Sequence, residues 1–340
     1  MTLIILEPVS MSNMLKNVVS LDKSYDIYLT MAWGEGNHGI SGHIYEVIEY
    51  YFILSGNGIK TGILLCEDID WPMFKRCITT KYTCTDVEIL NIYRDTTFHN
   101  RPTCVRGKNI LFVDGTLKRN IVANGTILCF KNIISFRCSP HDTFYDLPYK
   151  NITVLQDRRV YNDIDNKHAT HYVKKVMLSR YKDQPVECEN TGLLYLTSNC
   201  RKLDPEYLRL CLDKYKFDKY IIATNQPERY QEAVEGISVT FPELPISNIF
   251  SKFNTYIYTP TDAVLNPHCG CFDCSPRFIV ECEYYNKSVI YHDIDDTYLS
   301  MDTGLKTRMD DISQKFDTLA LKSDDNITSL VRNIINESTG

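Results

Sequence analysis

Short apolar runs alternating with amphipathic stretches set the rhythm of the second half of this chain. Gly192–Thr197 (GLLYLT) is a run of the kind a buried parallel strand carries. Asp204–Tyr215 follows, with Leu208, Cys211 and Leu212 at helical spacing and Asp204–Pro205 as a start signal. The alternation continues with a strand at Tyr220–Thr224, a helix at Pro227–Glu235 and a strand at Ile237–Phe241. A helix at Pro245–Phe253 and a strand at Thr255–Thr259 come next. A loop rich in Cys, Asp, Pro and Gly, Pro260–Cys274, leads to a helix at Ser275–Tyr285 and a last strand at Ser288–Tyr291. Strict strand–helix alternation implies a parallel sheet covered on both faces, with right-handed crossovers.

The first half is less regular. Asp26–Met31 reads as a strand and Trp33–Gly42 as a glycine-rich loop. Ile44–Leu54 reads as a helix with Ile44, Val47, Ile48, Tyr51 and Phe52 on one stripe, stopped by Gly56-Asn57-Gly58. Thr61–Cys66, Asn109–Val113 and Thr126–Phe130 read as further buried strands, and Leu3–Leu6 as a short one. The fold class is therefore α/β, with two Rossmann-like domains. The expected boundaries are 1–160 for the first domain, 161–190 for a polar connection, 191–300 for the second domain and 301–340 for a helical tail carrying Ile312, Phe316, Leu319 and Leu321.

Length and composition agree with this division. A single core rarely grows past about 250–300 residues, and the chain has 340. No apolar stretch is long enough for a spanning helix, and the N-terminus lacks the basic region of a signal peptide. An odd number of cysteines, 13, scattered along the chain fits a reducing cytoplasm and no membrane partner. The 23 tyrosines and the abundance of Ile, Asn and Lys follow AT-rich codon usage, as in some phages; the expected compartment is the cytoplasm, that of an infected bacterial host if the chain is phage-encoded. The net charge is −6, yet residues 75–137 hold eleven basic and four acidic side chains. That local excess reads either as a solvated mixed surface or as a site for an anionic partner, with Arg94, Arg101, Arg106 and Lys108 as the candidates to contact it.

The most informative local pattern is Asp273-Cys-Ser-Pro-Arg-Phe-Ile-Val-Glu281. Ser275 suits an N-cap and Pro276 a first helical position, so a helix start is specified after an irregular loop. Free N–H groups there suit phosphate, and Arg277 adds a bidentate donor. Glu281 lies a turn deeper, where a carboxylate can accept from sugar hydroxyls; an ordinary i,i+4 ion pair is the plainer use of the two residues.

These residues resemble the donor domain of GT-B glycosyltransferases, many of which carry two acids eight residues apart before the last core strand. Asp273 and Glu281 have that separation, with Asp in place of the usual first Glu, and Ser288-Val-Ile follows. His38-Gly-Ile-Ser-Gly-His-Ile-Tyr-Glu46 and Leu54-Ser-Gly-Asn-Gly-Ile-Lys-Thr-Gly-Ile-Leu-Leu are similar to the opening loop, helix and turn of the acceptor domain. Tyr195-Leu-Thr-Ser-Asn-Cys-Arg-Lys202 is similar to the first strand and loop of the donor domain in T-even-type phage DNA glycosyltransferases. The resemblance implies two domains facing a cleft and a UDP-sugar donor held by Arg201, Lys202, Asp273, Ser275, Arg277 and Glu281. It also implies transfer of glucose or arabinose to 5-hydroxymethylcytosine in double-stranded DNA, with no tightly bound cofactor and no required divalent metal. A flipped-out base would be needed in a duplex. A glycan, lipid-linked sugar or small molecule is the alternative acceptor.

Asp114, directly after a strand, is the first candidate for a base, with Glu35, His38 and Asp68 as competitors. His268-Cys-Gly-Cys-Phe-Asp-Cys274 places His268, Cys269, Cys271 and Cys274 together, so a non-catalytic zinc-knuckle protein binding DNA or another partner is the reading from a different class. Three Asp-Ile-Asp triplets, at 68–70, 163–165 and 293–295, are attributed to composition. The Trp33–Gly42 loop lacks the GK[ST] of a P-loop.

Overall fold

The computed structural model describes residues 18–31, 42–100, 104–113, 117, 121, 125–137, 147–157, 169–173, 180–184, 190–196, 203–244, 246–259, 277–292 and 324–337. Two compact units emerge: Met1–Arg180 with Leu319–Gly340, and Tyr181–Thr318. The strands of the first are β1 (Val18–Ser20), β2 (Ile27–Thr30), β3 (Thr61–Cys66), β4 (Thr96–His99), β5 (Cys104–Arg106), β6 (Asn109–Phe112), β7 (Ile127–Cys129), β8 (Asn132–Arg137), β9 (Ile152–Asp157) and β10 (Ala169–Val173). Those of the second are β11 (Thr191–Tyr195), β12 (Lys219–Ala223), β13 (Val239–Thr240), β14 (Thr255–Tyr258) and β15 (Ser288–Tyr291). The helices are α1 (Gly42–Gly56), α2 (Trp71–Lys81), α3 (Asp86–Arg94), α4 (Pro205–Lys214), α5 (Arg277–Tyr284) and α6 (Asp324–Glu337).

In the first unit a seven-stranded parallel sheet runs β4-β3-β2-β6-β8-β9-β10. In the second, a five-stranded parallel sheet runs β13-β12-β11-β14-β15. Ranked by chain position within its own sheet, each begins 3-2-1-4-5, the doubly wound order. The chain is thus two Rossmann-like units in series. The order reverses between β2 and β6 in one and between β11 and β14 in the other.

Local sequence explains the elements. Every residue of β3 is buried, as an unbroken apolar run in a central parallel strand should be. Asp70 caps α2, its carboxylate accepting from the Met73 N–H at 2.8 Å. Thr85 and Glu88 form a reciprocal capping box at α3: the Glu88 N–H donates to Thr85 Oγ1 at 3.2 Å, and the Thr85 N–H to Glu88 Oε2 at 2.9 Å. Asp204 caps α4 through the Glu206 and Tyr207 N–H groups, with Pro205 behind it. Gly58, at φ +79, turns the chain after α1.

A second, three-stranded parallel sheet, β1-β5-β7, sits ahead of β2, β6 and β8, which neighbour one another in the same order. The Leu21 N–H donates to Arg106 O at 2.8 Å and the Lys131 N–H to Lys108 O at 2.8 Å, so the ladder steps from one sheet into the other. The run Thr126–Phe130 belongs to this small sheet. Only Leu128 of β7 is buried, because one face alone packs on the core, beside Leu21, Val105 and Ile110.

Several elements differ from their sequence-based expectation. Pro227–Glu235 makes two short 3₁₀ turns, Pro227–Tyr230 and Glu232–Val234, before Gly236 at φ +77 ends them. Among the described residues of Pro245–Phe253 only the turn Ile249–Ser251 is helical, because Asn248 at φ +50 cannot continue a right-handed helix. Within 161–190, β10 pairs with β9 as the edge strand of the first sheet. The tail helix α6 belongs to the first unit: the Asn132 side chain donates to Ile334 O at 3.3 Å, and Arg332 donates to Asn57 O. Leu3–Leu6, the loop 260–274 and residues 301–323 lie outside the described residues.

Candidate functional site

Ligands of open parallel sheets sit beyond the carboxyl ends of the strands, where the strand order reverses. In the second unit that point follows Tyr195 of β11 and Tyr258 of β14. Helix α5 begins there with Arg277 and leads back into β15. Phe278, Ile279 and Cys282 supply its inward contacts: Ile279 and Cys282 are fully buried, and the Phe278 ring lies 5.0 Å from Tyr195 and 4.9 Å from Tyr256. Phe250 stacks on both Phe278 (5.0 Å) and Tyr285 (4.4 Å), and Tyr285 is parallel to Tyr181 at 6.1 Å. An aromatic wall therefore runs from the end of β11 along one side of α5.

Arg277 is set into this wall. Its Nε donates to Glu281 Oε1 at 2.7 Å and its Nη2 to the Tyr181 hydroxyl at 2.6 Å. The side chains of the pair are 7% and 4% exposed. Burying either charge alone would be prohibitive, so each makes the other tolerable. The guanidinium is thereby a rigid positive group at the start of a helix, in a fixed orientation before any ligand arrives. Burial, with Glu281 alongside, pushes the Cys282 thiol well above its usual range, so this cysteine is inert as a nucleophile.

At the carboxyl edge of the first unit's sheet, His99 ends β4. It is 4% exposed, its Nδ1 lies 2.8 Å from Asn100 O, and burial lowers its pKa despite the opposing pull of Glu67. The Glu67 N–H donates to His99 O at 2.9 Å, which fixes the turn after β3. Asp68, in that turn, is exposed and accepts from Cys66 Sγ at 3.8 Å, while Asp70 serves as the α2 cap; the first Asp-Ile-Asp triplet is thus used for turn and helix start.

Of the residues singled out from sequence, Arg277 and Glu281 are brought together as described. Glu35, His38, Asp114, Arg201, Lys202, Asp273, Ser275, Arg101 and the set His268, Cys269, Cys271 and Cys274 lie outside the described residues. Among the described residues no three His, Cys, Asp or Glu side chains converge. Arg94, Arg106 and Lys108 sit at the amino-terminal edge of the main sheet, just ahead of β4 and β6, away from the edge where a substrate is expected. Arg94 is ion-paired with Asp95 at 3.0 Å, and Arg106 lies beside the thiols of Cys104 and Cys129. Tyr181 and His99 were not singled out. Tyr181 stands far from Arg277 in sequence, and His99 carries only the weak signal of a histidine ending a short strand.

No protein-family model and no curated protein matches the chain. Among solved structures, a glycosyltransferase from Rickettsia africae ESF-5 is similar with 11% identity, 92% of this chain and 94% of that chain covered, and a TM-score of 0.37. Arabidopsis thaliana UGT89C1, complexed with quercetin, is similar with 10% identity, 92% and 90% covered, and a TM-score of 0.41. The assignment of two Rossmann-like units rests on the strand orders, not on these likenesses.

Proposed function

We propose that the chain is a glycosyltransferase taking its sugar from a nucleotide diphosphate donor bound at the carboxyl edge of the second unit's sheet. The observation that carries this reading is the buried Arg277–Glu281 pair at the head of α5, at the point where the strand order reverses. A donor diphosphate needs preorganised positive charge as its bond to the sugar breaks. Arg277 supplies it in this reading, with Ser275, Arg201 and Lys202 as further candidates from the sequence. Glu281 and Asp273 hold the sugar, and the aromatic wall of Tyr195 and Phe278 offers a planar base a face to stack on. Acceptor activation falls to Asp114, Glu35 or His38 in the first unit.

The acceptor is a hydroxyl. DNA bearing 5-hydroxymethylcytosine rests on the family resemblance and on the basic excess of 75–137. Arg94, Arg106 and Lys108 lie at the opposite sheet edge and do not add to it. A glycan, lipid-linked or small-molecule hydroxyl is supported equally. The test is calorimetric titration with UDP, UDP-glucose and UDP-arabinose, followed by mass analysis of hydroxymethylated DNA and of small phenols after incubation with each donor. Binding of UDP compounds with transfer to either acceptor supports the reading. Absence of any nucleotide diphosphate binding, beside destabilisation by a chelator, would favour the zinc-knuckle alternative.

A further inference from the structure

The outward face of the small sheet brings two thiols together. In β1-β5-β7 the side chains of Val19, Val105 and Leu128 turn to the core, so alternation sends their neighbours to the other face. The register sets Val18, Cys104 and Ile127 abreast in one row of that face, and Ser20, Arg106 and Cys129 abreast in the next. The Gly107 N–H donates to Cys129 O at 3.2 Å and carries the ladder past Arg106. Cys104 and Cys129 are therefore diagonal neighbours, with Arg106 directly across from one and two residues along from the other. The three side chains meet: each thiol is within hydrogen-bonding reach of the guanidinium, and the thiols are within reach of one another.

The two sulfurs differ in access. Cys104, in the central strand with Val18 and Ile127 on either side, is 7% exposed. Cys129, in the edge strand β7, is the one exposed cysteine among the described residues. Thiol–disulfide exchange uses such an asymmetric pair: the exposed thiol meets the reagent and the buried one resolves the adduct. Burial and the Cys104 sulfur raise the Cys129 pKa, and Arg106 acts against both, so the guanidinium is the group that supports a thiolate here. Arg106 is exposed and can also hold a carboxylate on an incoming molecule. Diagonal partners stand farther apart than opposed ones, so joining the sulfurs asks one strand to slide. Strand β7 suits that movement, being three residues long, at the sheet edge, with Leu128 alone buried.

We infer that Cys129 and Cys104 form a reversible redox pair, modified by small anionic disulfides. The Cys129 thiolate attacks one sulfur of the reagent; its S–S bond breaks, one small thiolate leaves, and a mixed disulfide remains on Cys129. The Cys104 sulfur then attacks Cys129 Sγ and expels the second small thiolate, which takes up the Cys104 proton. Two protein thiols and one small disulfide become one protein disulfide and two small thiols, the reagent being the oxidant. In a reducing compartment such a bond is transient and serves sensing. The inference stands apart from the donor-site reading, because it concerns β5 and β7 of the first unit.

The test is incubation of the reduced full chain with oxidised glutathione, an anionic disulfide, and with cystamine, a cationic one, followed by acid quenching and peptide mass mapping. A Cys104–Cys129 cross-link is expected, formed faster with oxidised glutathione and reversed by dithiothreitol. Cys104→Ala should instead accumulate glutathione on Cys129. Arg106→Gln should slow the reaction with oxidised glutathione about fivefold and shrink its lead over cystamine. The thermal midpoint of each variant is measured alongside, and the parent's cross-link is read without any variant. Absence of that cross-link, a mixed disulfide on Cys129 that persists while Cys104 is present, or modification spread evenly over the other cysteines would overturn the inference. Equal rates with the two reagents would overturn its anionic class.

Discussion

Replacing Arg277 by methionine separates two roles that its geometry combines. The substitution keeps most of the side-chain volume and removes the charge, leaving the Glu281 carboxylate, 4% exposed, without its counter-ion. Breaking a buried pair from one side costs about 3–5 kcal/mol. In a unit the size of Tyr181–Thr318 that corresponds to a fall of about 10–20 °C in the thermal midpoint. Adding Glu281→Leu removes the stranded charge. The double variant should then return to within about 1 kcal/mol of the parent, or exceed it, since apolar replacement of a buried pair is often neutral or stabilising. Denaturant unfolding followed by circular dichroism measures both steps. A loss below about 1 kcal/mol in the single variant, or a double variant no better than the single one, would refute the argument that the pair holds the head of α5 by mutual compensation. The restored double variant then isolates the ligand question. If the guanidinium faces the donor diphosphate, UDP affinity in the folded double variant should drop about tenfold or more, as for a lost charge-assisted contact. Unchanged affinity would leave Arg277 as a strut of the wall.

Further outcomes follow from single contacts. Burial lowers the His99 pKa in the folded chain, so near and below the unfolded value of about 6.5 the folded chain binds fewer protons there than the unfolded one. Its stabilising effect is complete above the unfolded pKa of about 6.5 and is lost as pH falls below it; His99→Asn should flatten the acid limb of a midpoint-against-pH curve. Gly62→Ala would place a methyl group 2.5 Å from the Tyr28 ring, whose hydroxyl is itself held by the Asp22 N–H; a cost of about 1–3 kcal/mol by denaturant unfolding is expected. Thr85→Ala removes one arm of the α3 capping box and should cost about 1 kcal/mol. Under native conditions an alkylating reagent should label exposed Cys129 well before buried Cys282, read by peptide mass mapping.

Periodicity carried the second unit well, since β11, α4, β12, β14, α5 and β15 each stand within a few residues of their expected places. Continuous apolar runs and explicit starts such as Asp204–Pro205 leave little room for another structure. It failed where a short helical pattern met one left-handed residue, Asn248, whose conformation sequence does not announce. Helices α2 and α3 were not anticipated, although Asp70 with Pro72 and Thr85 with Glu88 are written in the sequence as start signals. Of the small sheet only β7 showed, as the run Thr126–Phe130; β1, β5 and β10 were illegible for another reason: three- to five-residue parallel strands are fixed by partners far along the chain, not by their own pattern. The same limit applies to the candidate site. The Arg277–Glu281 spacing was visible as an i,i+4 pair, but its burial depends on Tyr181, ninety-six residues away.

The return of α6 to the first unit makes Tyr181–Thr318 an insertion, tethered at both ends to one folded body. When that insert unfolds its chain is a closed loop, with fewer conformations than a free strand of equal length. Loop closure over this length removes on the order of 4–5 kcal/mol of disorder from the unfolded state. Detaching Asp324–Glu337 should therefore soften the second unit's sheet without altering one of its own contacts.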